Sequence, residues 1–168
     1  MMDYWKWSAS PLGRLLLASD GTALTGLWLE GQAHFAAALT GTPQESPDLP
    51  VFLETEIWLR AYFSKMPLPP LPPLSPRGTP FRQAVWQQLL KIPCGTTVTY
   101  GELAGRLRKQ GVSASPRAVG GAVGHNPVSI LIPCHRVVGS GGRLTGYAGG
   151  IAAKRWLLRL EGADVEEA

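Results

Sequence analysis

"MPLPPLPPLSPRGTP", residues 66–80, divides the chain, because it places seven prolines in fifteen residues. Each proline fixes φ and removes an N–H donor, so neither a helix nor an inner strand survives that density. The stretch reads as a stiff, extended connector between two halves. Charge changes at the same place. Residues 1–80 carry five Lys/Arg and seven Asp/Glu, whereas residues 81–160 carry eleven Lys/Arg and a single acid, Glu102. The expected organisation is therefore a domain over 1–65, the connector over 66–80 and a basic domain over 81–168. So one-sided a charge suits a polyanionic partner, of which nucleic acid is the usual one. A merely soluble basic surface is the alternative.

Upstream of the connector the pattern is one of strands. "DYWKWSAS" (3–10) alternates, "GRLLLASD" (13–20) follows, and "TALTGLWLE" (22–30) comes after Asp20-Gly21, a hairpin signal with both central positions expected at positive φ. "VFLETEIWLRAYFS" (51–64) is helical, with Phe52, Ile57, Leu59 and Phe63 as its apolar spacing. Downstream the elements are helices. Thr79-Pro80 starts one that ends before Pro93, and Thr99 with Glu102 starts a second in a capping-box arrangement. Ser115-Pro116 starts a third, and "IAAKRWLLRLEG" (151–162) is closed by Gly162. The fold class expected is α+β: a small N-terminal β-sheet with a helix, then a mostly helical C-terminal domain with a helix-turn-helix.

Composition bounds the setting. With 45% apolar and 17% charged residues the chain is globular, and no run of eighteen apolar residues is present to span a bilayer. The N-terminus lacks the basic start and apolar stretch of a secretory signal. Two cysteines do not make a disulfide framework. A reduced, cytoplasmic protein is expected.

The third downstream helix does not suit base reading in the major groove, which needs Arg, Asn or Gln along one face. After Arg117 it offers Ala118, Val119, Gly120, Gly121, Ala122, Val123 and Gly124. Each mid-helix glycine costs about 1 kcal/mol against alanine. Either the small residues let the helix approach a sugar-phosphate backbone, giving shape-directed binding in the minor groove led by Arg117, or they let two helices pack closely.

Both cysteines follow Ile-Pro. An ordinary thiol has a pKa of about 8.5 and needs a base or a positive field to react. Cys94 has no base nearby in sequence and reads as a buried structural thiol. Cys134 has His135 and Arg136 beside it, although adjacency does not guarantee contact and a water may have to bridge the pair. On the last helix the expected buried stripe is Ala153, Trp156, Leu157 and Leu160. Glu161 lies at its edge and opposes the helix dipole at a cost of about 0.3–1 kcal/mol. It either has a partner that wants its charge, His135 being the candidate, or sits exposed and pairs with a Lys or Arg.

"NPVSILIPCHRVVG", "TGYAGG…KRWLLRLEG", "RAVGGAVGHNP" and "GTTVTYGELA" together resemble the O6-alkylguanine-DNA alkyltransferases of the short bacterial form, continuously from about Phe81 to Gly162. The resemblance implies direct-reversal DNA repair: irreversible, single-turnover transfer of the alkyl group from O6-alkylguanine, with O4-alkylthymine as a second substrate, to a cysteine after base flipping. By position Cys134 would be the nucleophile, His135 the base through a water, Glu161 its orienting partner, Asn126 the brace of the active-site turn and Tyr100 the donor to the departing guanine. DNA contacts would come from Arg117, filling the gap left by the flipped nucleotide, and from Tyr100, Ala118, Arg136 and Ser140. Tyr147, Ala148 and Ser129 would line the pocket. Double-stranded DNA is the implied partner, bound by a monomer. No cofactor is implied, and no metal, since the zinc-bearing members use cysteines and histidines in a first half that here has only His34. Small side chains at Ser129 and Ala148 imply a pocket that accepts groups larger than methyl. Rival readings are a lesion-flagging binding protein, which the presence of Cys134 opposes, a transcription regulator, for which the chain is short, and a cysteine protease, for which no oxyanion motif exists.

Overall fold

The computed structural model describes residues 2–165. The chain divides into two compact units, Met1–Arg77 with Pro127–Ser129, and Gly78–Asn126 with Ile130–Ala168.

The first unit is built on a four-stranded sheet of order β3-β2-β1-β4. Strands β1 (Tyr4–Ser10) and β2 (Gly13–Ser19) form an antiparallel hairpin, and β3 (Leu24–Leu29) pairs antiparallel with β2. The Asp20-Gly21 turn differs from the expected one. Only Gly21 takes positive φ, +104°, while the Asp20 carboxylate accepts the N–H groups of Thr22 and Ala23 at 2.9 Å each. A side chain does the work of a second left-handed residue. Strand β4 (Gln44–Glu45) runs parallel to β1; two polar residues carry no period by which sequence could reveal it.

Gly26 is required by its neighbour, because a Cβ there would lie 2.1 Å from the Trp28 ring. That ring packs with Leu16 and Ala18 beneath Trp5 and Trp7. Helix α1 (Pro50–Phe63) buries Val51, Phe52, Thr55, Trp58, Leu59 and Tyr62. Ile57, expected on the core face, is instead 55% exposed; the buried stripe runs through Thr55 and the aromatics at 58 and 62.

The proline-rich stretch is extended, as its composition requires, but its second half is fastened. Leu24 donates to Pro73 O and accepts from Ser75, each at 2.8 Å. Arg77 grips the buried Asp3 carboxylate with two bonds of 2.8 Å, which holds that carboxyl well below its usual range. Farther along the same strand Leu27 bonds Pro127 O at 2.8 Å and Ser129 N at 2.9 Å.

The second unit begins with α2 (Pro80–Leu89), capped by Thr79. Short strand β5 (Val98–Thr99) leads into α3 (Tyr100–Lys109), capped by Thr99, and α4 (Pro116–Gly124) is capped by Ser115. Helices α3 and α4 form the expected helix-turn-helix. Strand β6 (Val137–Val138) pairs parallel with β5. Helix α5 (Ile151–Leu160) ends at Gly162, φ +78°, whose N–H bonds Arg159 O while Ala163 N bonds Leu158 O. That is a Schellman closure, and it stops the helix just where Glu161 stands. Among the described residues no helix is long and apolar enough to cross a membrane.

Candidate active site

Two local devices bring the chemistry together. Pairing of β5 with β6 sets Thr99 beside Val138, so Tyr100, the first residue of α3, starts close to the end of the Cys134–Arg136 segment. That segment is a single 3-10 turn entered from Pro133. It is approached through Ile130, a β-branched residue held at φ +73°; such a backbone costs about 1–3 kcal/mol and persists only where the surroundings impose it.

Cys134 is buried, at 4% exposure. Burial pushes its thiol upward, against hydrogen bonds from Asn126 and Tyr147 and the charge of Lys154. The resting sulfur is therefore protonated and needs a base. Asn126 also donates to Ile132 O at 2.8 Å, tying the turn that precedes the cysteine.

His135 is fully buried. Its Nε2 lies 2.6 Å from Glu161 Oε2. Burial lowers its proton affinity, against the pull of Glu161, so at neutral pH the contact is a hydrogen bond donated by neutral imidazole. The proton then sits on Nε2 and the lone pair on Nδ1. Nδ1 is buried and has no partner. An orphaned acceptor of this kind, one residue from a protonated thiol, is suited to take a proton directly or through one water.

Glu161 is held from a second direction. Arg136 Nε reaches Oε1 at 2.8 Å and Nη2 reaches Oε2 at 2.9 Å, while Nη1 donates to Ile92 O at 2.6 Å. Arg136, expected to contact DNA, has its side chain turned inward, with each of its three nitrogens engaged in a hydrogen bond. Cys94, expected to be buried, is exposed. It stands beside the same pair, and partial burial and then the Glu161 charge push its thiol upward.

Lys154 was hidden in the sequence among the basic residues of the last helix. It is fully buried and donates to Thr145 O at 2.8 Å and Gly146 O at 3.2 Å. Burial lowers its pKa to about 8, with the Cys134 sulfur pulling the other way. The buried face of α5 is Lys154, Leu157 and Leu158, not the stripe through Ala153, Trp156 and Leu160, and Trp156 is 37% exposed. A lysine three and four positions before two core leucines was the available signal.

Tyr100 hydrogen-bonds Thr145, and burial raises its pKa, which keeps the phenol proton available for donation. Tyr147 and Ala148 are half-buried, and Arg117, Ala118 and Ser140 are exposed. Ser129 lies with the first unit, its hydroxyl 3.3 Å from Gln32 Oε1. Two of the three glycines of α4 are not needed for helix packing, since a Cβ on Gly121 or Gly124 would meet open space, whereas one on Gly120 would touch the Tyr100 ring at 3.8 Å. No group of three or more metal-ligating side chains gathers among the described residues.

The arrangement can perform nucleophilic transfer to sulfur. Comparison with known proteins agrees. Residues 80–163 match the 6-O-methylguanine DNA methyltransferase, DNA binding domain, and residues 4–72 match the ribonuclease-like domain of the same name. A methylated-DNA–protein-cysteine methyltransferase of Haemophilus influenzae is 43% identical over 94% of this chain and 86% of its own length, and one of Mycobacterium bovis is 43% identical over 95% and 93%. The Mycobacterium tuberculosis OGT solved in complex with DNA is 42% identical, with a TM-score of 0.79 over 95% of this chain and 92% of that one. The chain belongs to the 6-O-methylguanine DNA methyltransferase family.

Proposed function

We propose that this protein repairs DNA by moving the alkyl group of O6-alkylguanine irreversibly onto Cys134, once per molecule. The observation that carries the reading is the buried thiol beside a neutral histidine whose one free nitrogen has no partner. His135 Nδ1 takes the thiol proton, directly or through a water, and Glu161 stabilises the imidazolium that forms. The thiolate attacks the alkyl carbon, the carbon–O6 bond breaks, and the electron pair leaves with guanine, which takes a proton from the Tyr100 side. Lys154 stabilises the thiolate before attack. The product is a thioether, which offers water no carbonyl to attack, so the protein is consumed.

Residues 81–168 carry both binding and transfer in this reading. Double-stranded DNA meets the exposed face of α4 along its minor groove, and the open surface at Gly121 and Gly124 supports close approach of a backbone. Arg117 enters the gap left by the flipped nucleotide, an extrusion that costs a few kcal/mol, with Ala118 and Ser140 beside it. Tyr147 and Ala148 line a pocket with room for groups larger than methyl. The protein acts as a cytoplasmic monomer.

Intact-mass measurement after incubation with a duplex containing O6-methylguanine tests the reading. A single methyl gain located on Cys134, with none on Cys94, is expected. An unmodified protein in excess lesion refutes transfer and leaves a protein that only binds.

A further inference from the structure

The grip of Arg136 on Glu161 is more elaborate than a surface ion pair. Three of its nitrogens are engaged: Nε and Nη2 on the two oxygens of Glu161, and Nη1 on Ile92 O. The Glu161 side chain is 1% exposed and the Arg136 side chain 10%. Glu161 Oε2 is shared, receiving His135 Nε2 and Arg136 Nη2 together. A carboxylate in that position without a cation would hold a proton, and either it or its histidine would keep that proton to higher pH.

We propose that Arg136 is a positioning residue for alkyl transfer: by holding both oxygens of Glu161 and anchoring them to Ile92 O, it keeps the carboxylate ionised and aimed at His135, and so sets the acid limit below which His135 cannot accept the Cys134 proton. The proposal rests on the transfer reading above.

The charged and titratable groups around the pair fix the sign. His135 faces Glu161 and Lys154 from α5 and Arg136 from its own segment. Glu161 faces in addition Cys94, from the loop before β5. Lys154 and Arg136 both disfavour protonation of His135, and Glu161 alone favours it. Removing Arg136 leaves Glu161 less compensated, so the His135–Glu161 pair binds its extra proton more tightly. The acid limb of the rate then moves to higher pH, by about one to two pH units for a cation within a few ångströms of the pair. An arginine that only tied the 3-10 turn to α5 would change stability and leave the pH profile where it was.

The test uses full-length protein, a duplex containing O6-methylguanine, and the rate of Cys134 methylation by intact mass from about pH 5 to 9. Arg136→Gln is expected to raise the midpoint of the acid limb by at least about one pH unit, with a rate loss of about twofold at the shifted midpoint that grows to about tenfold below the wild-type midpoint. Arg136→Lys retains the charge without the planar fork, and should restore the midpoint while recovering only part of the rate. In a Glu161→Gln background, adding Arg136→Gln should change the rate much less than it does in the wild type, leaving only the direct effect of the Arg136 charge on His135. An unmoved midpoint in Arg136→Gln, or Arg136→Lys shifted as far as Gln, overturns the proposal. So do independent, multiplying losses in the double variant, or a matching loss of affinity for undamaged duplex, which would make Arg136 a DNA contact. If Arg136→Gln does not fold, Arg136→Met, which also removes the charge, carries the same expectation and the same refutation. Should the wild type itself gain no methyl, the transfer reading fails instead.

Discussion

Replacing Lys154 by methionine should make the protein more stable and less active. In an exposed chain a lysine titrates near 10.5, and here burial brings it to about 8. That gap corresponds to about 3 kcal/mol against the charged form. Methionine, of similar length and without charge, removes it. The losses are the bonds to Thr145 O and Gly146 O, about 1 kcal/mol each, so Lys154→Met should gain about 1 kcal/mol at pH 7 and raise Tm by about 2–4 °C. The pH dependence is diagnostic. Because the folded-state value lies below the unfolded one, the folded wild type binds fewer protons between pH 8 and 10.5. Its stability from this group rises across that window and is lost as pH falls through about 8. The variant lacks this rise. Tyr100 and Cys94 titrate in both proteins, whereas Cys134 loses the pull of the Lys154 charge in the variant, so the stability comparison is made in a Cys134→Ala background, where the difference isolates the lysine. Denaturant unfolding from pH 7 to 10.5, beside Cys134 methylation rates, measures both halves. A variant that keeps the wild-type slope with pH, or that is destabilised by several kcal/mol at pH 7, would refute a buried charged lysine. Undiminished transfer would refute its role toward the thiolate.

Cys134→Ala should show no methyl gain while retaining affinity for lesion-bearing duplex; lost binding in a competition assay would make the thiol structural. Arg117→Ala should slow repair of duplex far more than reaction with a free alkylated base, as single-turnover rates on the two substrates would reveal. Gly121→Ala should stabilise α4 by about 0.5–1 kcal/mol, because a Cβ there meets open space, yet weaken duplex binding, read by thermal unfolding and a binding titration. Asp3→Ala, which strands Arg77, should destabilise the first unit by about 2 kcal/mol in denaturant unfolding, with unchanged m indicating a pure stability effect.

Helix starts were legible because their signals are local. Thr79, Thr99 and Ser115 each cap the helix that follows, and Gly162 ends the last one. Cys134, His135, Asn126 and Glu161 could be named by residue type and resemblance, and the structure adds distances for the bonds of the last three. Facing was less legible. Ile57 and Trp156 are large and apolar, yet both point outward, since a shift of one position turns a helix by about 100°. Lys154 was overlooked and Arg136 expected on DNA for one shared reason. Composition treats a cation as surface, and only three-dimensional neighbours, carbonyls for one and a carboxylate for the other, can make its burial tolerable. Cys94 departs in the opposite direction, a thiol expected to be buried and found exposed, although Ile92 two residues earlier is in the core.

The edge of β3 has a consequence for inheritance. Leu27 is bonded on both sides by a tripeptide, Pro127–Ser129, that comes from far later in the chain and lies only five residues before the nucleophile. A gene fragment encoding residues 78–168 alone would therefore produce a polypeptide with that tripeptide's backbone amide and carbonyl groups orphaned and the strained Ile130 still to be accommodated. The first unit thus owns three residues encoded inside the span of the second, and a cut between residues 77 and 78 deprives it of the segment that pairs with Leu27.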